Sequence, residues 1–141
     1  MLETPHALLG AAVGAATGNP AAAAVTGAGS HFLTDVMPHW NPEFPFRSKL
    51  VYAFLVVDFV TSLVLIASFA LVWPNRPEIA VGAFFGILPD ILLGIRYVFK
   101  VRWLQPYERA HAWMHHEVAP LYGIPPQLLV SIVSVLYLKT A

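Results

Sequence analysis

A long, mostly apolar stretch runs from residue 49 to residue 100 and reads KLVYAFLVVDFVTSLVLIASFALVWPNRPEIAVGAFFGILPDILLGIRYVFK. Its first part, from Lys49 to Trp73, is apolar except for Asp58 and small hydroxyl residues. About 25 such residues are enough to cross a hydrocarbon core of roughly 30 Å. A second apolar segment, from about Pro77 to Lys100, follows the tight turn WPNRP. The stretch therefore predicts a long transmembrane helical hairpin.

The residues before this hairpin predict a shorter helical hairpin. Thr4 can cap a first helix with Pro5 at its first position, and Gly18-Asn19-Pro20 can form the turn. A second helix is expected to end near Met37. Each arm is short for a full membrane crossing.

The residues after the long hairpin predict two further helical segments. A polar, aromatic segment runs from about Gln105 to Glu117, and an apolar helix of about 14 residues follows Pro125-Pro126, ends at Lys139 and spans a membrane only partly. We therefore expect residues 1–141 to form a single membrane-embedded domain. Its fold class is all-α, an integral membrane bundle of about five to six helices.

The composition supports a membrane environment and excludes several classes of function. The chain is 57% hydrophobic and 11% charged, which is too apolar for an ordinary soluble fold, so the lipid bilayer is the expected partner. Eight Lys and Arg balance eight Asp and Glu, and no basic run is interleaved with aromatic residues, which argues against nucleic-acid binding. Without cysteine, any metal must bind through histidine and carboxylate.

The distribution of Lys and Arg predicts an orientation in the membrane. By the positive-inside rule, the side with more of these cations faces the cytoplasm, which here is the side of the N-terminus. Arg76 and Lys139 lie on the opposite side. The cations expected on the N-terminal side are Arg47, Lys49, Arg96, Lys100, Arg102 and Arg109.

Small and polar residues recur at steps of four on three of the expected helices. Residues four apart share a helix face, and small residues on such a face let another backbone approach closely. The polar members of each series should therefore point into the bundle. The series are His6, Gly10, Gly14 and Gly18; Ala23, Gly27, His31 and Asp35; and Gly82, Gly86, Asp90 and Gly94.

The two predicted hairpins place polar residues at matching depths. At about 1.5 Å per residue, His6 and His31 differ in depth by only about 2 Å, and Asp58 and Asp90 by about 3 Å. The segment HAWMHH emerges on the same side. A charged group in hydrocarbon costs at least ~2.5 kcal/mol, so such residues are expected to be functional and partnered. Divalent metal, most simply one or two Zn²⁺ ions, would satisfy this mixture of histidine and carboxylate.

These residues resemble the motifs of the bacterial inner-membrane metal-dependent hydrolases of YdjM type. The matching residues are the early His6, Pro89-Asp90 in GILPDI, His111 with His116 in HAWMHH, and Ser30-His31 with Asp35 in SHFLTDVMPH. In this chain the Ser-His motif precedes the Pro-Asp motif. The resemblance implies hydrolysis in a bacterial inner membrane. It also implies metal ligation at His6, His31, Asp35, Asp90, His111 and His116.

Several assignments stay open from the residues alone. His111 and His115 share a helix face, whereas the spacing in the family favours His116. His39 follows Pro38 and is more simply interpreted as an interface residue. Asp58 can ligate metal, act as a general base, or orient a metal-binding imidazole without contacting the metal itself.

The leading functional hypothesis is a membrane-embedded hydrolase in which metal activates water, with Asp58 or Asp90 as the catalytic base. The substrate would be a lipid or lipid-linked phosphoester or ester at the cytoplasmic interface. No GxSxG element is present, which disfavours serine chemistry. The first alternative is a transporter or channel for metal ions or protons. The second is a non-catalytic structural protein, a homo-oligomer through its glycine stripes.

Overall fold

The computed structural model describes residues 1–42 and 48–141, and these residues form six α-helices, so the predicted all-α fold is confirmed. A single 3-10 turn, Arg102–Leu104, follows the fourth helix. Arg47, one of the cations used to predict the orientation, lies outside the described residues. The helices are α1 (Glu3–Thr17), α2 (Pro20–Asp35), α3 (Lys49–Val72), α4 (Pro77–Phe99), α5 (Gln105–Met114) and α6 (Pro120–Leu138).

Three of these helices, α3, α4 and α6, are long and apolar enough to cross a membrane. Large apolar side chains such as Leu50, Leu71 and Leu129 are exposed on α3 and α6. The buried apolar core instead contains many small side chains, including Ala11 and Ala83. A surface this apolar is unfavourable in water and suits contact with lipid chains.

The last helix differs from its sequence-based prediction. It begins at Pro120 and contains both Pro125 and Pro126, so it has 19 residues in place of the expected 14 or so. Both prolines lie in its second turn, where they remove only hydrogen bonds to carbonyls of the first turn. The helix therefore continues through them and is long enough to span a membrane fully.

The turn between α1 and α2 forms as predicted. Gly18 ends α1 in the left-handed region, at φ 61°, and the Asn19 side chain accepts hydrogen bonds from the backbone N–H groups of Ala21 and Ala22. The predicted cap of α1 is wrong. Thr4 lies inside that helix, and the side chain of Leu2, the residue before the helix, forms no capping hydrogen bond.

Glycine faces join α1, α2 and α4 at backbone contact. A Cβ atom added at Gly10 or at Gly27 would collide with the carbonyl group of Gly82, and one added at Gly86 would collide with the carbonyl group of His6. The close approach that the small residues predict is therefore present. It fixes the register of the three helices that carry His6, His31 and Asp90.

The two ends of the bundle are closed by polar side chains. At one end Arg76 pairs with Glu78 at 3.0 Å and donates to the Ala15 carbonyl at the end of α1. At the other end Gln127 of α6 accepts from the Leu2 N–H group and donates to the Trp40 carbonyl. The polar residues predicted to converge lie at this second end.

Candidate metal centre

Four helices deliver histidine and aspartate side chains to one level of the bundle. His6 comes from the first turns of α1, His31 and Asp35 from the end of α2, Asp90 from α4, and His111 from α5. The rings of His6 and His31 stack with centroids 3.8 Å apart, as their matched depths predict. All five residues are buried or partly buried.

Asp35 lies at the centre of this cluster and is fully buried. Its Oδ2 atom lies 3.1 Å from His31 Nε2, 3.5 Å from His111 Nε2 and 2.9 Å from His115 Nε2. Its Oδ1 atom lies 3.2 Å from His6 Nε2. The amino group of Met1 also donates to Oδ1. One carboxylate thus lies against histidines of three helices, one histidine of the segment after α5, and the Met1 amino group.

Asp90 completes a second set of contacts around the same histidines. Its Oδ1 atom lies 3.4 Å from His111 Nε2 and 3.8 Å from His31 Nε2, and these two nitrogens are 2.9 Å apart. Tetrahedral Zn²⁺ bound by nitrogen and oxygen requires ligand atoms roughly 3.3 Å from one another. The observed separations bracket this value, so the geometry fits a divalent ion of that size.

Contacts at the other ring nitrogens direct Nε2 of three histidines into the cluster, where His6 Nε2 also lies 3.2 Å from the Met1 amino nitrogen. His31 Nδ1 bonds the Gly86 carbonyl at 2.8 Å, and His39 Nδ1 bonds the Met37 carbonyl at 2.9 Å. His6 Nδ1 lies 3.2 Å from the hydroxyl of Thr34, which itself donates to helix carbonyls. A carbonyl accepts only from N–H, so in His31 and His39 the proton is on Nδ1 and the lone pair on Nε2.

Two connecting segments bring further histidines to the cluster. The backbone after α2 pairs with the backbone after α5 in a short parallel bridge, in which His39 N–H donates to the His116 carbonyl and Val118 N–H to the His39 carbonyl. The bridge holds His39 Nε2 at 4.0 Å from Asp35 Oδ1. It also places His115 beside the same aspartate.

Three buried atoms that could bind metal form no hydrogen bond among the described residues, although two of them, Asp35 Oδ2 and His115 Nε2, lie only 2.9 Å apart; the third is His39 Nε2. Leaving such buried atoms without a partner costs folding free energy, and a bound metal ion would satisfy them together. The residues present therefore fit a divalent metal. Four overlapping groups bring their ligand atoms within 4.8 Å: His6, His31 and Asp90; His31, Asp35 and His111; Asp35, His39 and His115; and Asp90, His111 and His115.

The electrostatic surroundings keep two of these imidazoles neutral. Burial lowers the pKa of His39 to about 4. Burial and the neighbouring His115 and His31 lower the pKa of His111 to about 3. Burial also acts against the charged form of His115, but the adjacent Asp35 carboxylate outweighs it and raises the pKa of that ring. Neutral imidazole is the form that binds metal.

His116 is not brought into the cluster, although the resemblance implies it as a ligand. Helix α5 ends at Met114, so the following residues are extended and neighbouring side chains point to opposite sides. His115 turns inward and His116 is exposed, contributing only backbone hydrogen bonds. The spacing of four from His111 was the sequence signal for His115, whereas no helical spacing places His39, because α2 ends at Asp35.

Asp58, a predicted catalytic residue, lies apart from the four groups. One of its carboxylate oxygens accepts from Glu3 N–H at 2.7 Å and the other from Thr4 N–H at 3.2 Å. It thus caps the N-terminus of α1 from a neighbouring helix. Nothing in the sequence spacing signals this contact between α3 and α1.

A cavity of about 830 Å³ opens beside the cluster. It is lined by Asp90, His111 and His115, one of the four groups of candidate ligands, and by residues that include Leu55 and Phe59 of α3. The centre is therefore accessible to a small molecule. No family model matches the chain, and comparison with curated proteins and with solved structures also found no match.

Proposed function

We propose that this chain is a membrane-embedded, divalent-metal-dependent hydrolase of lipid or lipid-linked esters or phosphoesters. The observation that carries the proposal is the group formed by Asp90, His111 and His115, which combines metal-ligand geometry with access to a cavity. A centre that only stabilised the fold would need no such access. The likeness of the histidine and aspartate motifs to the YdjM-type hydrolases agrees with this function, and membership of that family stays a prediction.

In the proposed mechanism, some residues of the chain hold the metal and one accepts a proton from water. Asp35 and His31 would hold one or two Zn²⁺ ions. The remaining metal ligands would be His6, His39 and the group of Asp90, His111 and His115 that lines the cavity. When bound, such an ion polarises a carbonyl or phosphoryl oxygen and lowers the pKa of water. Both aspartates line the cavity, but Asp90 is the better candidate base, because it lies beside His31 and His111, whereas both oxygens of Asp58 already accept backbone N–H groups.

The interior of the bundle favours a hydrolase over a transporter. A path for ions requires polar groups at several depths. Between the metal centre and Glu78 at the far end, the described part of the chain contributes no Asp, Glu or His, and the core there is built from residues such as Ala11, Ala83 and Ile79. The glycine faces are also used within the chain, which does not favour a homo-oligomer formed through them.

The proposed location is a bacterial inner membrane, with the metal centre and the N-terminus on the cytoplasmic side. The excess of Lys and Arg near that end of the bundle supports this orientation. A site there lies at the depth of lipid headgroups, where an ester or phosphoester bond is found.

The test is hydrolysis of a panel of lipid esters and phosphodiesters by the purified protein in nanodiscs. We expect turnover that is abolished by a chelator and restored by Zn²⁺. His111→Ala should lower it at least about 100-fold, whereas the matched variant His116→Ala should leave it within about twofold. The absence of metal-dependent turnover, or full activity in His111→Ala, would contradict the proposal.

A further inference from the structure

The walls of the cavity beside the metal centre differ sharply in character. Part of the lining is apolar: α3 contributes Leu55, Val56 and Phe59, and α4 contributes Leu93. These helices also carry exposed apolar side chains on their outer faces. An apolar chain can therefore lie against this wall without losing its hydrophobic surroundings.

Apart from two histidines and the Met1 amino group, which is paired with Asp35, the charged groups of the residues that line the cavity are acidic. Among the described residues that line it, no lysine or arginine is present, and the carboxylates are Glu3, Asp58, Asp90, Glu108 and Glu117. Two of them are already paired: Glu108 forms an ion pair with Arg96 at 3.0 Å, and Asp58 caps α1. A phosphate-bearing headgroup would face the remaining carboxylates with no side-chain cation to receive it.

Glu3 offers a specific contact for an uncharged headgroup. Its Oε2 atom is buried and has no hydrogen-bond partner among the residues described. A neutral hydroxyl group can form a hydrogen bond with this oxygen, whereas an ionised phosphate would bring a further negative charge beside the carboxylates of Glu3, Asp58 and Asp90. An unsatisfied buried carboxylate oxygen therefore favours a ligand with a neutral polar head.

We infer that the cavity binds an uncharged, acyl-ester amphiphile of the monoacylglycerol kind, with its chain along α3 and α4 and its polar head between Glu3 and the metal centre. This inference rests on the proposed function and names its substrate class. In the reaction the acyl carbon gains the hydroxyl of water and the ester C–O bond breaks. The second proton of the water leaves with the alcohol.

The test is photo-crosslinking, which needs neither metal nor turnover. Chelator-treated full-length protein in nanodiscs is exposed to monoacylglycerol or lysophosphatidic acid, each with the same diazirine-bearing acyl chain. We expect saturable labelling of α3 by the neutral probe and labelling at least about tenfold weaker by the anionic probe. Glu3→Gln should narrow this difference by weakening neutral labelling and strengthening anionic labelling.

Cavity-filling variants control for labelling of the outer surface. Leu55→Trp and Leu93→Trp fill the cavity from two different helices and should each lower neutral labelling at least about fivefold. Val57→Trp is the matched control, because Val57 lies on the same helix, is 63% exposed and does not line the cavity. Circular dichroism would confirm that each variant retains its helices.

The outcomes separate this inference from the proposed function. Anionic labelling as strong as neutral labelling would overturn the inference, as would neutral labelling that both cavity-filling variants leave unchanged. Selective neutral labelling in a protein that never hydrolyses an ester would support the binding site and contradict the hydrolase. Hydrolysis restricted to phosphoesters would support the hydrolase and contradict the inference of a neutral acyl-ester substrate.

Discussion

His115 and His116 are neighbours in the sequence but have different surroundings. The ring of His115 lies 2.9 Å from Asp35 Oδ2, whereas the side chain of His116 is exposed. His115→Ala removes a donor from two of the four candidate metal groups, so we expect it to weaken metal binding about 10–100-fold. His116→Ala should change the affinity less than about twofold. Competition with a chelating dye measures both, and the opposite order would contradict the assignment.

Asp58 is expected to act on stability and not on metal binding. Its carboxylate accepts the N–H groups of Glu3 and Thr4 at the start of α1, and losing such a cap costs about 1 kcal/mol. Asp58→Ala should therefore unfold at lower denaturant concentration while its metal content stays unchanged. Denaturation followed by circular dichroism, beside elemental analysis, checks both parts. Loss of metal with unchanged stability would show instead that Asp58 is a ligand.

The helices are held in register by glycine, and this makes a prediction for single methyl groups. A Cβ atom at Gly82 would collide with the backbone of α1, whereas one at Gly94 on the same helix meets nothing within 4 Å. Gly82→Ala should destabilise the protein by at least about 1 kcal/mol and lower its metal occupancy. Gly94→Ala should be neutral or slightly stabilising, because alanine favours a helix. Equal behaviour of the two variants would contradict the packing.

The elements that sequence predicts well are those determined by local pattern. Apolar length predicts α3 and α4, Gly18-Asn19-Pro20 predicts the turn after α1, and the steps of four predict which faces meet. Each of these signals lies within one helix or one hairpin, where spacing translates directly into geometry.

The features that sequence did not predict depend on contacts between distant segments. The bridge that pairs His39 with the chain after α5 joins two loops, and the Asp58 cap joins α3 to α1. No periodicity signals such contacts, since each depends on how complete helices pack. For the same reason the choice between His115 and His116 depended on where α5 ends.

The whole molecule encloses a polar centre within an apolar bundle. Small residues let α1, α2 and α4 pack closely, and the large apolar side chains of α3 and α6 remain exposed for lipid. At one end this arrangement gathers six buried or partly buried histidine and aspartate side chains around Asp35. They are His6, His31, His39, Asp90, His111 and His115. Bringing so many donors together without an ion would leave buried polar atoms unsatisfied.

The most direct test of this account is the metal content of the detergent-purified protein. Elemental analysis of the wild type should find one or two divalent ions per chain. Asp35→Asn keeps the shape of the side chain but removes its charge, and this variant and His31→Ala should each lose that metal while remaining helical by circular dichroism. His116→Ala should retain it. A wild type purified free of metal and unable to take up Zn²⁺, or an Asp35→Asn variant that keeps its full complement, would contradict the account.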